Sequence, residues 1–295
     1  MARRERDKGA RRESVKYGLF GMNMRPCVTP EAIAAVARAA EAAGFDSFWG
    51  GEHLALADPQ VAGSPLAPET VFVDLGATIA FAAAHTRTLR FGTGILLLPL
   101  RNPVVLAKQI ASLDVISGGR LIFGVGIGNL EFEFKAVGMP FDHKGRRAEE
   151  AIAAMRALWS MERAEFRGRY FSFGGVRAEP RPQQKPHPPI IFGGKSAYAF
   201  SRTARLGDGW YGYGLDLGAA ATCIAGLRAA CTRHGRRFEE LEINVTPKGV
   251  LDRDQARRYA DLGVHRLILP PRGRTTEEAL AAIADAERGV LREAR

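Results

Sequence analysis

The segment LRFGTGILLLPLRNPVVLAKQIASLDVISGGRLIFGVGIG, residues 89–128, contains two apolar runs separated by one helical pattern. After the first run, Asn102 and Pro103 supply a typical helix N-cap and a proline at the first helical position. The helical pattern ends at Gly118-Gly119, and the second apolar run follows directly. A strand, a helix and a second strand in this order predict one βαβ unit with two parallel strands.

The rest of the chain repeats this alternation, with a helical pattern after each strand. The strand-like segments are KYGLFGM, DSFWGGE, LRFGTGILLL, RLIFGVGIG, PPIIFGG, DGWYGYG, EINVTPKG and HRLILPP. Eight strand-helix pairs predict an α/β fold made of a single (β/α)8 TIM barrel over residues 15–295. A small insertion after strand four, AEFRGRYFSFGG, is predicted to form a hairpin, and the second helix is predicted from about Glu69 to Ala84.

The glycines of GVGIGN raise the question of a dinucleotide loop. That fingerprint needs glycine at its first, third and sixth positions. Counted from Gly124 the sixth residue is Asn129, and counted from Gly126 it is Glu131, so the fingerprint fails in both registers. In a TIM barrel the active site lies instead at the carboxyl ends of the strands, where glycines let backbone approach a flat ligand.

Composition fits a globular enzyme, with 46% hydrophobic and 25% charged residues in 295. No apolar run approaches the length of a membrane helix and no secretory signal is evident, so we expect a cytoplasmic protein without a membrane partner. The three cysteines lack paired spacing, which argues against a disulfide framework or structural zinc, and no metal site is predicted.

The formal net charge of +10 invites the hypothesis of a nucleic-acid partner. Residues 1–16 contain seven basic and three acidic side chains, and the remaining positive charge is dispersed along Ala- and Arg-rich helices. We therefore expect a disordered basic tail over residues 1–14 and no nucleic-acid binding, and we expect a small-molecule substrate as the partner.

Four stretches carry a family resemblance: GFDSFWGGEH, the 89–128 segment, GRRAEEAIAAMRALW and PPIIFGGKSAYAFSRTARLGDGW. Over residues 15–270 the chain resembles the bacterial luciferase-like family, and within it the oxidoreductases that use the deazaflavin coenzyme F420. The resemblance implies hydride transfer between F420 and a small organic substrate, in a homodimer joined by helices near strands two and three. An FMN-dependent monooxygenase using O2 is the alternative, and a non-catalytic flavin-binding barrel is another.

The resemblance also implies roles for residues at the strand ends. His53 would face the reaction centre and Glu52 would meet the cofactor. Gly94-Ile95 would form a non-prolyl cis peptide beneath the cofactor ring, and the GVGIGN glycines would make room for that ring. The full set of implied cofactor contacts is Glu52, Gly94, Ile95, Leu97, Ile127, Gly128, Gly193, Gly194, Ser196 and Ala197.

Two of these assignments have simpler alternatives. Residues 95–98 could be a plain buried strand. Gly193 to Ala197 could be an ordinary strand-to-helix turn capped by Ser196, in place of a phosphate site aided by Lys195.

The chain departs from its sugar-phosphate-oxidising relatives at two positions. The resemblance implies a catalytic position just after the glycine strand, where this chain has Asn129 in place of the glutamate of those enzymes, and an amide cannot titrate. Ala57 replaces a tryptophan, so glucose-6-phosphate oxidation is not expected. Glu131 and Glu133 are candidates to replace the missing acid or are solvated loop charges.

The aromatic residues of strand six are predicted to divide between the two sides of the barrel wall. In this prediction Tyr211 faces one side, and Trp210 and Tyr213 face the other.

Overall fold

A computed structural model describes residues 15–64 and 66–292 of the chain. Its main sheet has the strand order β3-β2-β1-β11-β10-β9-β8-β5-β4, and β3 also pairs with β5. The strands are β1 Lys16–Phe20, β2 Ser47–Gly50, β3 Arg90–Thr93, β4 Leu96–Leu97, β5 Leu121–Gly126, β6 Ala164–Arg167, β7 Ser172–Val176, β8 Ile190–Gly193, β9 Gly209–Leu215, β10 Glu242–Pro247 and β11 Arg266–Leu269. The β3–β5 pairing closes eight parallel strands into a ring, which confirms the predicted (β/α)8 barrel.

Helices cover the outside of this ring. They are α1 Pro30–Ala43, α2 Leu75–Ala84, α3 Pro103–Ile116, α4 Glu131–Ala136, α5 Lys144–Ser160, α6 Ala197–Leu206, α7 Leu217–Arg233, α8 Arg253–Asp261 and α9 Thr276–Ala286. Thr29 and Asn102 cap α1 and α3 by accepting hydrogen bonds from first-turn N–H groups, as the sequence predicts. None of the helices in the described part is long and apolar enough to cross a membrane.

The prediction that the second helix begins near Glu69 is wrong. The side chain of Asp74 accepts a hydrogen bond from the N–H of Ala77 at 2.8 Å, which fixes the first helical residue at Leu75. Before it, the N–H of Val73 donates to the carbonyl of Asn23 at 2.8 Å. This bond ties the preceding segment to the loop after β1 and keeps it out of the helix.

The predicted insertion is an antiparallel hairpin of β6 and β7, between α5 and β8. The basic segment 1–14, predicted as a separate tail, lies outside the described residues.

Two apolar layers stabilise the barrel. A large one lies between strands and helices and includes Trp210, and a small one inside the ring includes Phe20, Trp49 and Tyr211. The ring of Tyr213 lies 6.4 Å from that of Tyr211 and 5.4 Å from that of Phe20, so Tyr213 shares the inner side. The prediction that placed Tyr213 with Trp210 is wrong, because residues two apart on a strand share a face.

The amino end of the barrel is closed by a buried ionic cluster. Arg266 is fully buried, and its guanidinium donates to Asp46 at 2.8 Å, to Asn244 at 2.7 Å and to Glu242. This cluster fills the interior at the start of the strands, so the opening of the barrel lies at the carboxyl ends.

Candidate active site

His53 lies in the loop after β2 and contacts a carboxylate that follows β5, the next strand but one around the barrel. Its Nδ1 is 3.3 Å from both carboxylate oxygens of Glu133, which belongs to α4 after β5. The N–H of Leu54 donates to Oε1 of the same carboxylate at 3.1 Å. The ring of Phe72 meets the imidazole edge-on at 5.3 Å, so His53 is held on two sides.

Glu131 and Glu133 differ in their surroundings, and the replacement of the missing acid by either of them stays a prediction. The side chain of Glu133 is 1% exposed, whereas Glu131 is exposed and pairs with Lys135 at 3.0 Å. The sequence contains no signal for this difference, because on a helix Glu131 and Glu133 lie at equal angles on either side of the face shared by Leu130 and Phe134. Asn129 is exposed, and its predicted catalytic role stays a prediction.

Glu52 makes its contacts within the protein. One carboxylate oxygen accepts hydrogen bonds from the N–H of Leu97 at 2.7 Å and from Arg101 at 2.8 Å, and the other accepts from Arg101 at 2.6 Å. A bidentate pair of this kind holds both side chains in one geometry. Glu52 thus joins the end of β2 to β4, and Arg101 is a rim residue that the sequence reasoning missed. A contact of Glu52 with the cofactor stays a prediction.

The peptide bond between Gly94 and Ile95 is cis, as the resemblance implies, and it separates β3 from β4. The glycines around this bulge accommodate the protein's own atoms. A Cβ added at Gly124 would lie 1.8 Å from the carbonyl oxygen of Thr93, and one at Gly126 would lie 2.1 Å from Cδ1 of Ile95. The prediction that the GVGIGN glycines make room for a cofactor ring is wrong for these two positions.

Gly128 and Gly193 are also surrounded by protein atoms. Gly128 has a φ of 68°, and a Cβ there would meet the ring of Phe134 at 2.9 Å. A Cβ at Gly193 would lie 2.7 Å from Cδ1 of Ile95. Leu97 is buried in a small cluster with Phe134, and Ile127 is half-buried.

The start of α6 combines a helix cap with an exposed turn. Ser196 is the N-cap, accepting from the N–H of Ala199 at 3.2 Å, and the carbonyl of Gly194 accepts from the indole of Trp210 at 2.8 Å. Gly194 to Tyr198 are exposed, and the N–H groups of Ala197 and Tyr198 have no acceptor among residues 15–64 and 66–292. Free N–H groups at a helix start, with Lys195 beside them, suit a phosphate.

Two tyrosines of β9, Tyr211 and Tyr213, lie on the inner side of the barrel. The hydroxyl of Tyr211 forms a 2.8 Å hydrogen bond with Thr246, and its ring stacks on Trp49 at 5.6 Å. Burial raises the pKa of the Tyr211 phenol well above its usual range, and the pKa of Tyr213 is raised for the same reason. In both cases burial favours the neutral phenol over the phenolate.

The fold and site define a parallel eight-stranded barrel with a histidine–carboxylate pair and an exposed helix start at the carboxyl ends of its strands. The model of the family described as luciferase-like monooxygenase matches residues 14–294, and the chain belongs to this family of enzymes.

Relatives of known activity use two different cofactors. An F420-dependent glucose-6-phosphate dehydrogenase of Kineococcus radiotolerans is 30% identical over 234 residues, 77% of this chain and 66% of that protein. An FMNH2-dependent dimethylsulfone monooxygenase of Pseudomonas putida is 32% identical over 137 residues, 45% of this chain and 38% of that protein. An uncharacterised protein of Mycobacterium tuberculosis is 30% identical over 279 residues, 90% of this chain and 95% of that protein.

The fold also matches a solved F420-dependent secondary alcohol dehydrogenase in complex with an F420-acetone adduct. The TM-score is 0.77 at 16% identity, over 94% of this chain and 98% of that one. At this identity the likeness shows the shared barrel alone.

Proposed function

We propose that the protein transfers a hydride between coenzyme F420 and a small organic substrate. The observation that carries the proposal is the His53–Glu133 pair after β2 and β5, a histidine with a buried carboxylate partner, in a barrel that also has the cis Gly94–Ile95 bond after β3. An imidazole there can hold or move a proton while charge changes on a bound ring.

The residues present fit a phosphorylated, flat cofactor. The exposed N–H groups of Ala197 and Tyr198 and the charge of Lys195 would hold its phosphate, and the backbone at Gly94-Ile95 would support its ring. When bound, the deazaflavin would supply a two-electron hydride carrier. His53 would exchange a proton at Nε2, and Glu133 would keep its ring in place.

We propose F420 in place of FMN because the F420-dependent relative aligns with a larger share of this chain than the FMNH2-dependent one, 77% against 45%. The two cofactors share a tricyclic ring and a phosphate, so the exposed turn at α6 accommodates either. A substrate other than glucose 6-phosphate is proposed, because Asn129 and Ala57 replace the acid and the tryptophan that the sequence resemblance associates with that reaction.

The test is a fluorescence titration of the apo-protein with F420 and with FMN under identical conditions. A tenfold preference for F420, about 1.4 kcal/mol, would support the proposal. Lys195→Glu should weaken binding of either cofactor, whereas Lys16→Glu at the amino end of the barrel is the matched control and should not.

Turnover separates the remaining alternatives. Reduced F420 bound to the protein should be oxidised by at least one member of a panel of ketones and enones under anaerobic conditions. A preference for FMN with O2 consumption would indicate a monooxygenase, and tight cofactor binding without turnover of any acceptor would indicate a binding barrel.

A further inference from the structure

We propose that Glu133 is a positioning residue that fixes the tautomer of His53, with the proton on Nδ1 and the lone pair on Nε2. The proposal deepens the proposed function, because it names the group that determines which ring nitrogen is available to exchange a proton at the mouth. It rests on the contacts that Glu133, after β5, makes with His53 and Leu54, after β2.

The contact geometry restricts which nitrogen carries the proton. An ionised carboxylate accepts hydrogen bonds and has no hydrogen to donate. Both oxygens of Glu133 lie 3.3 Å from Nδ1 of His53, so a neutral imidazole makes an attractive contact only when Nδ1 bears the hydrogen. Nε2 then carries the lone pair, and it has no hydrogen-bond partner within the described part of the chain.

Glu133 is itself held in one place. The N–H of Leu54 donates to Oε1 at 3.1 Å, so the carboxylate contacts two consecutive residues, His53 and Leu54, in the loop after β2. The backbone N–H of Glu133 donates to the carbonyl of Leu130 at 3.2 Å, and Phe134 beside it is fully buried. The carboxylate is therefore held by a contact to the β2 loop and by its own burial at the start of α4.

The charged side chains on the neighbouring elements contact residues other than Glu133. On the loop after β2, Glu52 is paired with Arg101, and on α4, Glu131 is paired with Lys135. Lys144 at the start of α5 lies over the ring of Phe141 at 3.4 Å. The buried carboxylate of Glu133 therefore has the imidazole and the Leu54 N–H as its partners in the described structure.

The experiment uses protein labelled with 15N at histidine, without any cofactor. The ring-nitrogen chemical shifts of neutral His53 report the tautomer. Among the chain's six histidines, His53 is identified by the signal that is lost in His53→Ala. The wild type should show the Nδ1–H form. In Glu133→Gln the Leu54 N–H should still donate to the side-chain oxygen, which leaves the amide NH2 facing Nδ1. Because this NH2 donates a hydrogen bond to Nδ1, it should convert His53 to the Nε2–H form.

Two further variants keep the test decisive. Glu131→Gln removes an exposed carboxylate two residues away and should leave the tautomer unchanged. Glu133→Ala should give a mixture of both forms, with a melting temperature and backbone spectrum that report whether the fold persists. An Nε2–H wild type, an unchanged Glu133→Gln spectrum, or an equal effect of Glu131→Gln would overturn the proposal.

A second readout connects the tautomer to chemistry. Glu133→Gln should change F420 affinity less than about threefold and lower kcat at least tenfold, since the Nε2 lone pair is lost. The spectral test needs no cofactor, so a protein that fails to use F420 would refute the proposed function and leave the inference about Glu133 standing.

Discussion

His53 keeps 20% of its side-chain surface exposed while its partner Glu133 is buried, so the imidazole is the titratable end of the pair that a ligand can reach. The phosphate would be held at the start of α6 and the ring at the Gly94–Ile95 bulge, and neither contact involves the histidine. His53→Ala should therefore lower F420 affinity by less than about 1.5 kcal/mol, the value of one hydrogen bond. The rate with an acceptor found in the turnover panel should fall about a hundredfold, the usual contribution of a positioned acid or base.

The measurement is kcat against pH, together with the cofactor titration, for the wild type and His53→Ala. The variant should also lose one limb of the pH profile. A variant with unchanged turnover and pH dependence would remove His53 from the mechanism and direct attention to a group carried by the substrate.

Cys27 provides a second prediction at the residue scale. Its side chain is 1% exposed, and burial raises the pKa of the thiol from 9.0 to about 12. Because the thiolate is the nucleophile, native protein at pH 8 should react with a disulfide reagent far more slowly than unfolded protein. Cys223 and Cys231 are also buried and have raised pKa values, so unfolding in guanidinium should release three reactive thiols.

The sign of the linked stability effect follows from the raised pKa. The native state holds the Cys27 proton more tightly than the unfolded state, so this contribution is complete below about pH 9 and is lost as pH rises toward 12. Denaturation at pH 8 and pH 10 should show lower stability at the higher pH. In Cys27→Ser that difference should become smaller, and an unchanged difference would contradict the assignment.

Sequence reasoning predicts the location of His53 but not its contacts. The position of His53 follows from its place after a strand, because strand ends meet at the barrel mouth. The partners of Glu52 and Glu133 do not follow, because they lie 49 and 80 residues away and depend on how two loops meet. The glycines of β5 were assigned to a ligand because sequence alone does not show that the Ile95 side chain fills the space beside them.

The contact between β3 and β5 is the place at the element scale where close packing is most demanding. The hydroxyl of Thr93 donates to the carbonyl of Gly124 at 2.5 Å, and a Cβ on Gly124 would lie 1.8 Å from a backbone oxygen. Gly124→Ala must therefore separate these strands, and overpacking of this kind costs about 1–3 kcal/mol. We expect the melting temperature to fall by roughly 2–10 °C.

Gly218→Ala is the matched control for this prediction. Gly218 lies in the first turn of α7, and a Cβ there would be 3.6 Å from its nearest neighbour, Asp216. Alanine should raise or preserve stability at this helical position. Differential scanning calorimetry of both variants tests the idea, and a Gly124→Ala protein as stable as the wild type would show that the strands can separate at little cost.

Elements were predictable wherever periodicity and local caps agree. All eight barrel strands and the starts of α1 and α3 follow from apolar runs and Asn-Pro or Thr-Pro signals. The start of α2 did not follow, because residues 69–73 satisfy the same pattern. Their exclusion from the helix depends on the distant backbone bond between Val73 and Asn23.

At the scale of the whole molecule, closure of the barrel can be predicted by counting strand-helix pairs. The ionic cluster around Arg266 at its amino end cannot be predicted in this way. Arg266 reaches Asp46 across 220 residues of sequence, and only the closed ring brings them together. A fully buried guanidinium with two carboxylate partners also shows why part of the chain's positive charge is unavailable to external partners.

The outer surface of α2 and α3 carries the prediction of a homodimer. None of the ten residues of α2 is charged, and Ala77 and Ala84 are exposed on it. On the neighbouring α3, Val105 and Ile116 are 57% and 62% exposed. An apolar surface shared by two helices is typical of a protein interface, and we propose that a second copy of the chain covers it.

Light scattering at micromolar concentration should give twice the mass of one chain. Ala77→Glu and Val105→Glu should each shift the protein toward monomer, because each places a charge in the interface. Both substitutions fall in the first turn of a helix, where an acidic side chain interacts favourably with the helix dipole, so the fold should persist. Ala281→Glu, on the exposed surface of α9, should leave the dimer intact. A monomeric wild type, or an interface unaffected by both substitutions, would place the contact elsewhere or remove it.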